Sequence, residues 1–307
     1  MKERTSYDVI CSYLPVRLRR VMNEVAAGDR RSLTEVRLRS GRPVSFVYPY
    51  GSRFLTHNGE LTASYMNKAC VKVTSSEIAE TVEALCKYSV HSCKRELSEG
   101  FFVPAGGIRV GAAGTADTSV GGVLRDFSSL NFRLSREIIG CAEEIYRLCG
   151  NCTGLLVCGG VNSGKTTMLR DLCRMTGNRY KAVLVDERNE ISASSGGNIG
   201  FDIGAMTDVI VGQERAKAIS SAVRTLSPDV IFCDEISVPA DAEAILSAFG
   251  SGVRFVATMH AGSYDELMQR SVGLNLIEAK VFEYAVILHG SGCCSEVSEV
   301  RRLKDVV

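Results

Sequence analysis

The 307-residue sequence has no tryptophan, a formal charge of only +1 and no long apolar run, and each shortage closes off a class of function. So small a net charge gives no global field to draw in nucleic acid or an anionic membrane. With tryptophan absent and no nucleic-acid module recognisable, nucleic-acid binding is not expected. The longest apolar stretches, LLVC from Leu155 and VIFC from Val230, fall far short of the roughly 20 residues that span a bilayer. Direct membrane insertion is therefore not expected, and any work at a membrane requires a partner to hold the chain there. No signal sequence precedes the twelve scattered cysteines, so reduced thiols in a cytoplasmic setting are expected. Cys149 and Cys152 form a CxxC that no second pair completes. Cys158, Cys173 and Cys233 stand in apolar runs as small hydrophobes. The one local basic run, RLRR at Arg17–Arg20, reads as a solvated helix face.

What is present suggests two domains, residues 1–130 and 131–307, with Thr118–Arg136 as the junction. Residues 7–25 carry Val9, Ile10, Tyr13, Leu14, Leu18, Met22 and Val25 at helical spacing, predicting one amphipathic helix. Glu35–Pro49 alternates as two short strands, Ser76–Cys93 returns to helical spacing, and Phe101–Thr115 reads as a hairpin around Pro-Ala-Gly-Gly. The first domain is thus a small α+β unit. From Asn131 the apolar strand runs Leu155–Cys158, Ala182–Val185, Val230–Cys233, Phe255–Ala257 and Ala285–Leu288 alternate with helical segments. That alternation predicts an α/β domain with a largely parallel sheet covered on both faces.

Gly159-Gly160-Val161-Asn162-Ser163-Gly164-Lys165-Thr166 satisfies GxxxxGK[ST] between a buried strand and a helix starting at Lys165, and Thr167 extends it. Glycines let successive amides turn inward, where with the positive helix end they hold phosphate oxygens. Lys165 is expected to reach the β and γ phosphates, and the Thr166 hydroxyl to bind magnesium. The cofactors expected are therefore ATP and Mg2+.

The strand at Val230–Cys233 ends in Asp234-Glu235, where open α/β sheets bind ligands. Asp234 is expected to hold magnesium, and Glu235 to orient or deprotonate the attacking water. A second cluster, Asp186-Glu187-Arg188-Asn189-Glu190, follows the strand at Ala182–Val185; neighbouring strands would bring both clusters to one sheet edge. Its carboxylates would bind magnesium (Asp186, Glu187) or steer the water (Glu190), or else pair with Arg188 as a solvated loop. Thr258 and His260, after the next strand, are placed to sense the γ phosphate by hydrogen bonding.

In order, GGVNSGKTT, VDERNE, RTLSPDVIFCDE and ATMHAG resemble the motifs of the RecA-like ATPases that power type II and type IV secretion and pilus assembly. EVRLRSGRPV at Glu35–Val44, PAGGIRVGAAG at Pro104–Gly114 and LRDFSSLNFRLSREIIG at Leu124–Gly140 resemble the stage III sporulation protein AA family over nearly the whole chain. That resemblance implies a mother-cell ATPase serving membrane-embedded channel proteins around the forespore. It places the phosphate loop on Lys165 and Thr166, the acidic box on Asp186, Glu187 and Glu190, the catalytic glutamate on Glu235 and the histidine box on His260. Asp234 departs from the glycine that secretion ATPases commonly carry there, which leaves open which cluster contacts magnesium most. The family also implies a homo-hexamer with nucleotide between subunits and an arginine supplied in trans. Arg133, Arg125 and Arg136 are the candidates, with Arg109 and Arg224 behind them. The competing functions are a RecA-like ATPase acting on nucleic acid and a nucleotide-gated scaffold that hardly hydrolyses.

Overall fold

The structure, a computed structural model, describes residues 5–30, 32–86, 100–102, 104, 108–117, 123–134, 137–149, 154–194, 197–290 and 295–303. The chain forms two compact units, Met1–Ser135 with Ser195–Asn198, and Arg136–Ser194 with Ile199–Val307.

The first unit begins with helices α1 (Ser6–Tyr13), α2 (Val16–Asn23) and α3 (Ala27–Arg30). The single helix expected over residues 7–25 is in fact two. Pro15 holds Leu14 in an extended conformation (φ −80°, ψ 148°) and opens α2 as its cap. The apolar stripe survives the break, with Ile10, Leu14, Leu18, Met22 and Val25 all buried. The RLRR arginines are all exposed, as a solvated helix face requires, and two of them also tie elements together. Arg17 grips Glu77 with both Nε (2.8 Å) and Nη2 (2.7 Å), and Arg19 donates to the carbonyls of Cys11, Ser12 and Leu14 at the end of α1. Glu77 closes the capping box of α4 (Ser75–Leu85) with Thr74. The remainder of the helix expected up to Cys93 lies outside the described residues beyond Cys86.

Strands β1 (Glu35–Arg39), β2 (Ser45–Tyr48), β3 (Gly51–Leu55), β4 (Leu61–Thr62), β5 (Phe101–Phe102), β6 (Ile108–Asp117) and β7 (Val123–Leu134) form one sheet in the order β4-β3-β2-β1-β7-β6-β5. Every pairing in it is antiparallel. The expected hairpin is the β5–β6 pair, its Ala105–Gly107 turn lying outside the described residues. The segment expected as a junction instead contributes β7, between β1 and β6, so the 130/131 boundary falls inside a strand and the division comes after Ser135. Leu130 and Phe132 alternate inward from it against exposed Arg133.

The second unit contains α5 (Glu143–Leu148), β8 (Gly154–Gly159), α6 (Lys165–Thr176), β9 (Ala182–Asp186), β10 (Thr207–Val211), α7 (Arg215–Leu226), β11 (Val230–Cys233), α8 (Pro239–Gly250), β12 (Arg254–His260), α9 (Tyr264–Gln269), α10 (Ser271–Glu278), β13 (Tyr284–Leu288) and β14 (Val297–Arg302). Its sheet runs β10-β9-β11-β12-β8-β13-β14, parallel throughout except for antiparallel β14. Each residue of β8, β9 and β11 is buried, as strands covered on both faces require. One core collects Val183, Val185, Ile231 and Phe255 with α7 and α8; the other collects Leu184, Phe232 and Val256 with Met168 and Leu172 of α6. The carboxyl ends of β8, β9, β11 and β12 therefore open along one edge, and each expected site motif follows one of them.

Candidate functional site

The glycine-rich loop joins β8 directly to α6. Gly164 caps the helix at φ 94°, a left-handed angle, and a Cβ there would strike the backbone of Ser295. Ser295 also ties the loop down, its amide donating to the Ser163 carbonyl at 2.9 Å and its hydroxyl to the Gly164 carbonyl at 3.1 Å. Ser163 is buried and donates to the Gly160 carbonyl at 2.9 Å, whereas Val161 and Asn162 are exposed at the tip. Lys165 folds back onto its own loop, Nζ donating to the carbonyls of Gly159 (2.8 Å) and Gly160 (2.7 Å). Burial pushes its pKa down, while the charges of Asp234 and Glu235 work in the opposite sense. Thr166 and Thr167 lie half-buried on the first turn of α6. Behind the loop Cys158 is fully buried, which pushes its thiol up to about 12 and keeps it neutral.

The two acidic clusters meet, because β9 and β11 are neighbours in the sheet. Asp186, Glu187, Arg188, Glu190, Arg215, Asp234 and Glu235 line one cavity of about 10 Å3, room for about one water. Their tasks differ. Asp234 accepts a hydrogen bond from the Thr166 hydroxyl at 3.1 Å, which joins the acidic strand to the phosphate loop. Glu235 takes a left-handed backbone (φ 52°), and its carboxylate meets Arg188 Nη1 at 2.9 Å. The Arg188 pairing weighed for the acidic box is thus made with the neighbouring cluster instead.

Asp186, expected as a magnesium ligand, faces the loop that follows its strand. The side chain is buried and accepts the amides of Glu190 (2.9 Å), Ile191 (3.1 Å) and Ser192 (2.8 Å) together with the Ser192 hydroxyl (2.8 Å). Its charge is spent on shaping the loop that carries Arg188 and Glu190. Glu187 pairs with Arg215 at 3.1 Å, and Arg215 is held in turn by buried Asp241 at 2.6 Å. Arg215, nearly buried in the cavity wall, was missed from sequence, since nothing in its helical context marks it.

Magnesium takes hard oxygen donors in a near-ideal octahedron. The Thr166 hydroxyl and Asp234 carboxylate supply such oxygens 3.1 Å apart. Two adjacent corners of an octahedron with bonds of about 2.1 Å lie roughly 3 Å apart, so this pair fits the ion.

His260 ends β12 and is half-exposed, with Nδ1 4.0 Å from Glu266. It lines a second cavity, of about 290 Å3, with Glu235, Ser237 and Arg270. Thr258, expected to sense phosphate, is instead fully buried and bonded to Asp234 and to the Glu235 amide.

Of the arginines considered for action in trans, Arg133 and Arg109 share one sheet face. Arg133 is exposed on β7, in register with Arg109 on β6 and with Glu35 on β1. Arg37 and Arg39 alternate with buried Val36 and Leu38, so they share that outer sheet face with Glu35. Sequence reading missed these two, although the Glu-x-Arg-x-Arg alternation was visible. Arg109 stacks over the Phe101 ring at 4.4 Å, Arg125 is exposed further along β7, and Arg224 lies exposed on α7. Arg136 lies outside the described residues.

A parallel sheet with a GxxxxGK[ST] loop between β8 and α6, and strand-end acids beside it, defines the RecA-like P-loop fold. The same fold recurs in the pilus retraction motor PilT with bound ADP (TM-score 0.59, 14% identity, 93% of this chain and 78% of that one). It recurs also in the Legionella pneumophila ATPase DotB (TM-score 0.55, 12% identity, 89% and 77%). The family model "Sporulation stage III, protein AA" matches residues 4–305. The chain is 30% identical over 301 residues to stage III sporulation protein AA of Bacillus subtilis (strain 168), covering 94% of each. It belongs to that sporulation family.

Proposed function

We propose that this protein is an ATP-hydrolysing motor of the secretion-ATPase type, which energises assembly of, or transport through, a channel between mother cell and forespore. The observation that carries this reading is the Thr166–Asp234 hydrogen bond, because it brings the phosphate loop and the acidic strand to one ligand's reach. In the motor, Lys165 leaves its loop carbonyls for the β and γ phosphates, and the loop amides hold the phosphate oxygens. Thr166 and Asp234 would hold Mg2+, which would supply charge neutralisation on the transferred phosphoryl group. Glu235 releases Arg188 and orients or deprotonates the attacking water; Glu190, lining the same cavity, assists in steering it. His260 lines the second cavity together with Glu235, where a hydrogen bond to the γ phosphate would report its presence.

The reading includes a homo-hexamer in which Arg133, with Arg109, Arg37 and Arg39 on the same sheet face, meets nucleotide held by the neighbouring subunit. An arginine delivered in trans stabilises transition-state charge only in the assembled ring. The chain acts in the mother-cell cytoplasm and reaches the membrane through channel proteins. Among the described residues no helix is long and apolar enough to cross a bilayer, which is consistent with recruitment by a partner.

The experiment is sizing of the purified protein with and without a non-hydrolysable ATP analogue, together with turnover of wild type and Arg133→Ala. Nucleotide-driven assembly with turnover that rises on assembly, and falls in Arg133→Ala without loss of nucleotide binding, supports the motor. Strong stimulation by single-stranded DNA or RNA, or turnover indifferent to assembly, rejects it.

A further inference from the structure

Thr258 stands on β12 where its pairing partner β11 has just ended, the last rung being Cys233 with Ala257. It continues the contact by other means. Its hydroxyl donates to Asp234 Oδ1 and accepts the Glu235 amide at 2.7 Å, while its carbonyl accepts the Ile236 amide at 2.9 Å. The side chain is fully buried. A hydroxyl has a single proton to give, and Asp234 takes it, so Thr258 has none left for a phosphate oxygen. Asp234 in turn accepts from Thr166 through its other oxygen, Oδ2, at 3.1 Å. Glu235 occupies a left-handed backbone at φ 52°, a conformation that a residue with a Cβ holds when its surroundings demand it. The turn is held by the Glu235 amide on the Thr258 hydroxyl and by the Ile236 amide on the Thr258 carbonyl, while Arg188 meets the carboxylate at 2.9 Å.

We propose that Thr258 is a positioning residue: one buried hydroxyl sets Asp234 against Thr166 and holds the Glu235 turn, so magnesium affinity and water activation depend on the same group. His260 sits two residues further along the same strand. The inference rests on the ATPase reading given above.

Thr258→Val keeps the side-chain shape and removes the hydroxyl. The expected result is a fall in kcat of about 10- to 100-fold, the range for losing one hydrogen bond to a charged group. The Mg2+ concentration for half-maximal turnover should rise, with nucleotide affinity measured in EDTA unchanged. Thr258→Ser should recover most of both losses. If the valine form does not fold, Thr258→Ala repeats the test without placing a methyl group where the hydroxyl stood. Wild-type kcat and Mg2+ dependence in the valine or alanine form would overturn the proposal. So would a loss of affinity in EDTA, the mark of a direct nucleotide contact. Should the wild type bind nucleotide without hydrolysing it, the ATPase reading fails separately. The Mg2+ dependence of nucleotide affinity then remains the readout, and its insensitivity to Thr258→Val would reject the positioning role.

Discussion

Replacing Asp186 with alanine separates a loop-shaping carboxylate from a magnesium ligand, because the two roles fail in opposite assays. The substitution strips acceptors from the amides of Glu190, Ile191 and Ser192 and from the Ser192 hydroxyl, all within 3.1 Å of a buried side chain. Leaving a buried donor unpaired costs about 1–3 kcal/mol, and bonds to a charge lie toward the upper end. The four losses share one acceptor and are not additive, so a total of about 3–5 kcal/mol is the reasonable sum. For a unit of roughly 150–250 residues that is a drop of about 10 °C in Tm. Thermal unfolding should be followed without nucleotide, since a ligand bound to the native state would mask the change. Nucleotide affinity with and without Mg2+ should then be measured well below the lowered Tm. Wild-type Tm combined with loss of the Mg2+-dependent affinity would refute the reasoning and restore Asp186 as a metal ligand.

Other substitutions test neighbouring parts of the account. Arg188→Ala frees Glu235 from an exposed ion pair, and the modest worth of such pairs predicts a rise in basal turnover of about two- to five-fold, checked by steady-state hydrolysis; a fall would make Arg188 a contributor instead. In the amino-terminal unit, burial pushes the Glu77 carboxyl up, but Arg17 and the Thr74 cap outweigh it and hold Glu77 below the usual carboxylate range. A depressed native pKa stabilises the fold above the unfolded value, near 4.5, and that contribution is lost as pH falls through the native one. Glu77→Gln should therefore lower Tm at pH 7 and flatten its acid dependence, read by thermal unfolding across that range.

Local patterns were the legible part. The phosphate loop, the all-apolar strands β8, β9 and β11, and the strand-end acids are written in consecutive residues, and the structure assembles them along one edge. Features set by distant partners were not readable. β7 looks like a polar linker until β1 and β6 pair with it on either side. β14 is a half-exposed edge strand whose ladder depends on β13, and β10, at the other edge, has no fully buried residue. At the site, the residue types of VDERNE predicted carboxylate chemistry, but which carboxylate folds inward depends on amides that follow it in a turn. The same holds for Thr258, whose hydroxyl position relative to Asp234 is a consequence of strand order.

Single-turnover hydrolysis of Mg·ATP by wild type, Lys165→Ala and Glu235→Gln tests the central claim, that loop and acids serve one triphosphate. Lys165→Ala should lose binding, whereas Glu235→Gln should bind Mg·ATP as wild type does and be slowed at least about 100-fold in cleavage. Cleavage by Glu235→Gln at the wild-type rate, or unaltered binding by Lys165→Ala, would contradict it.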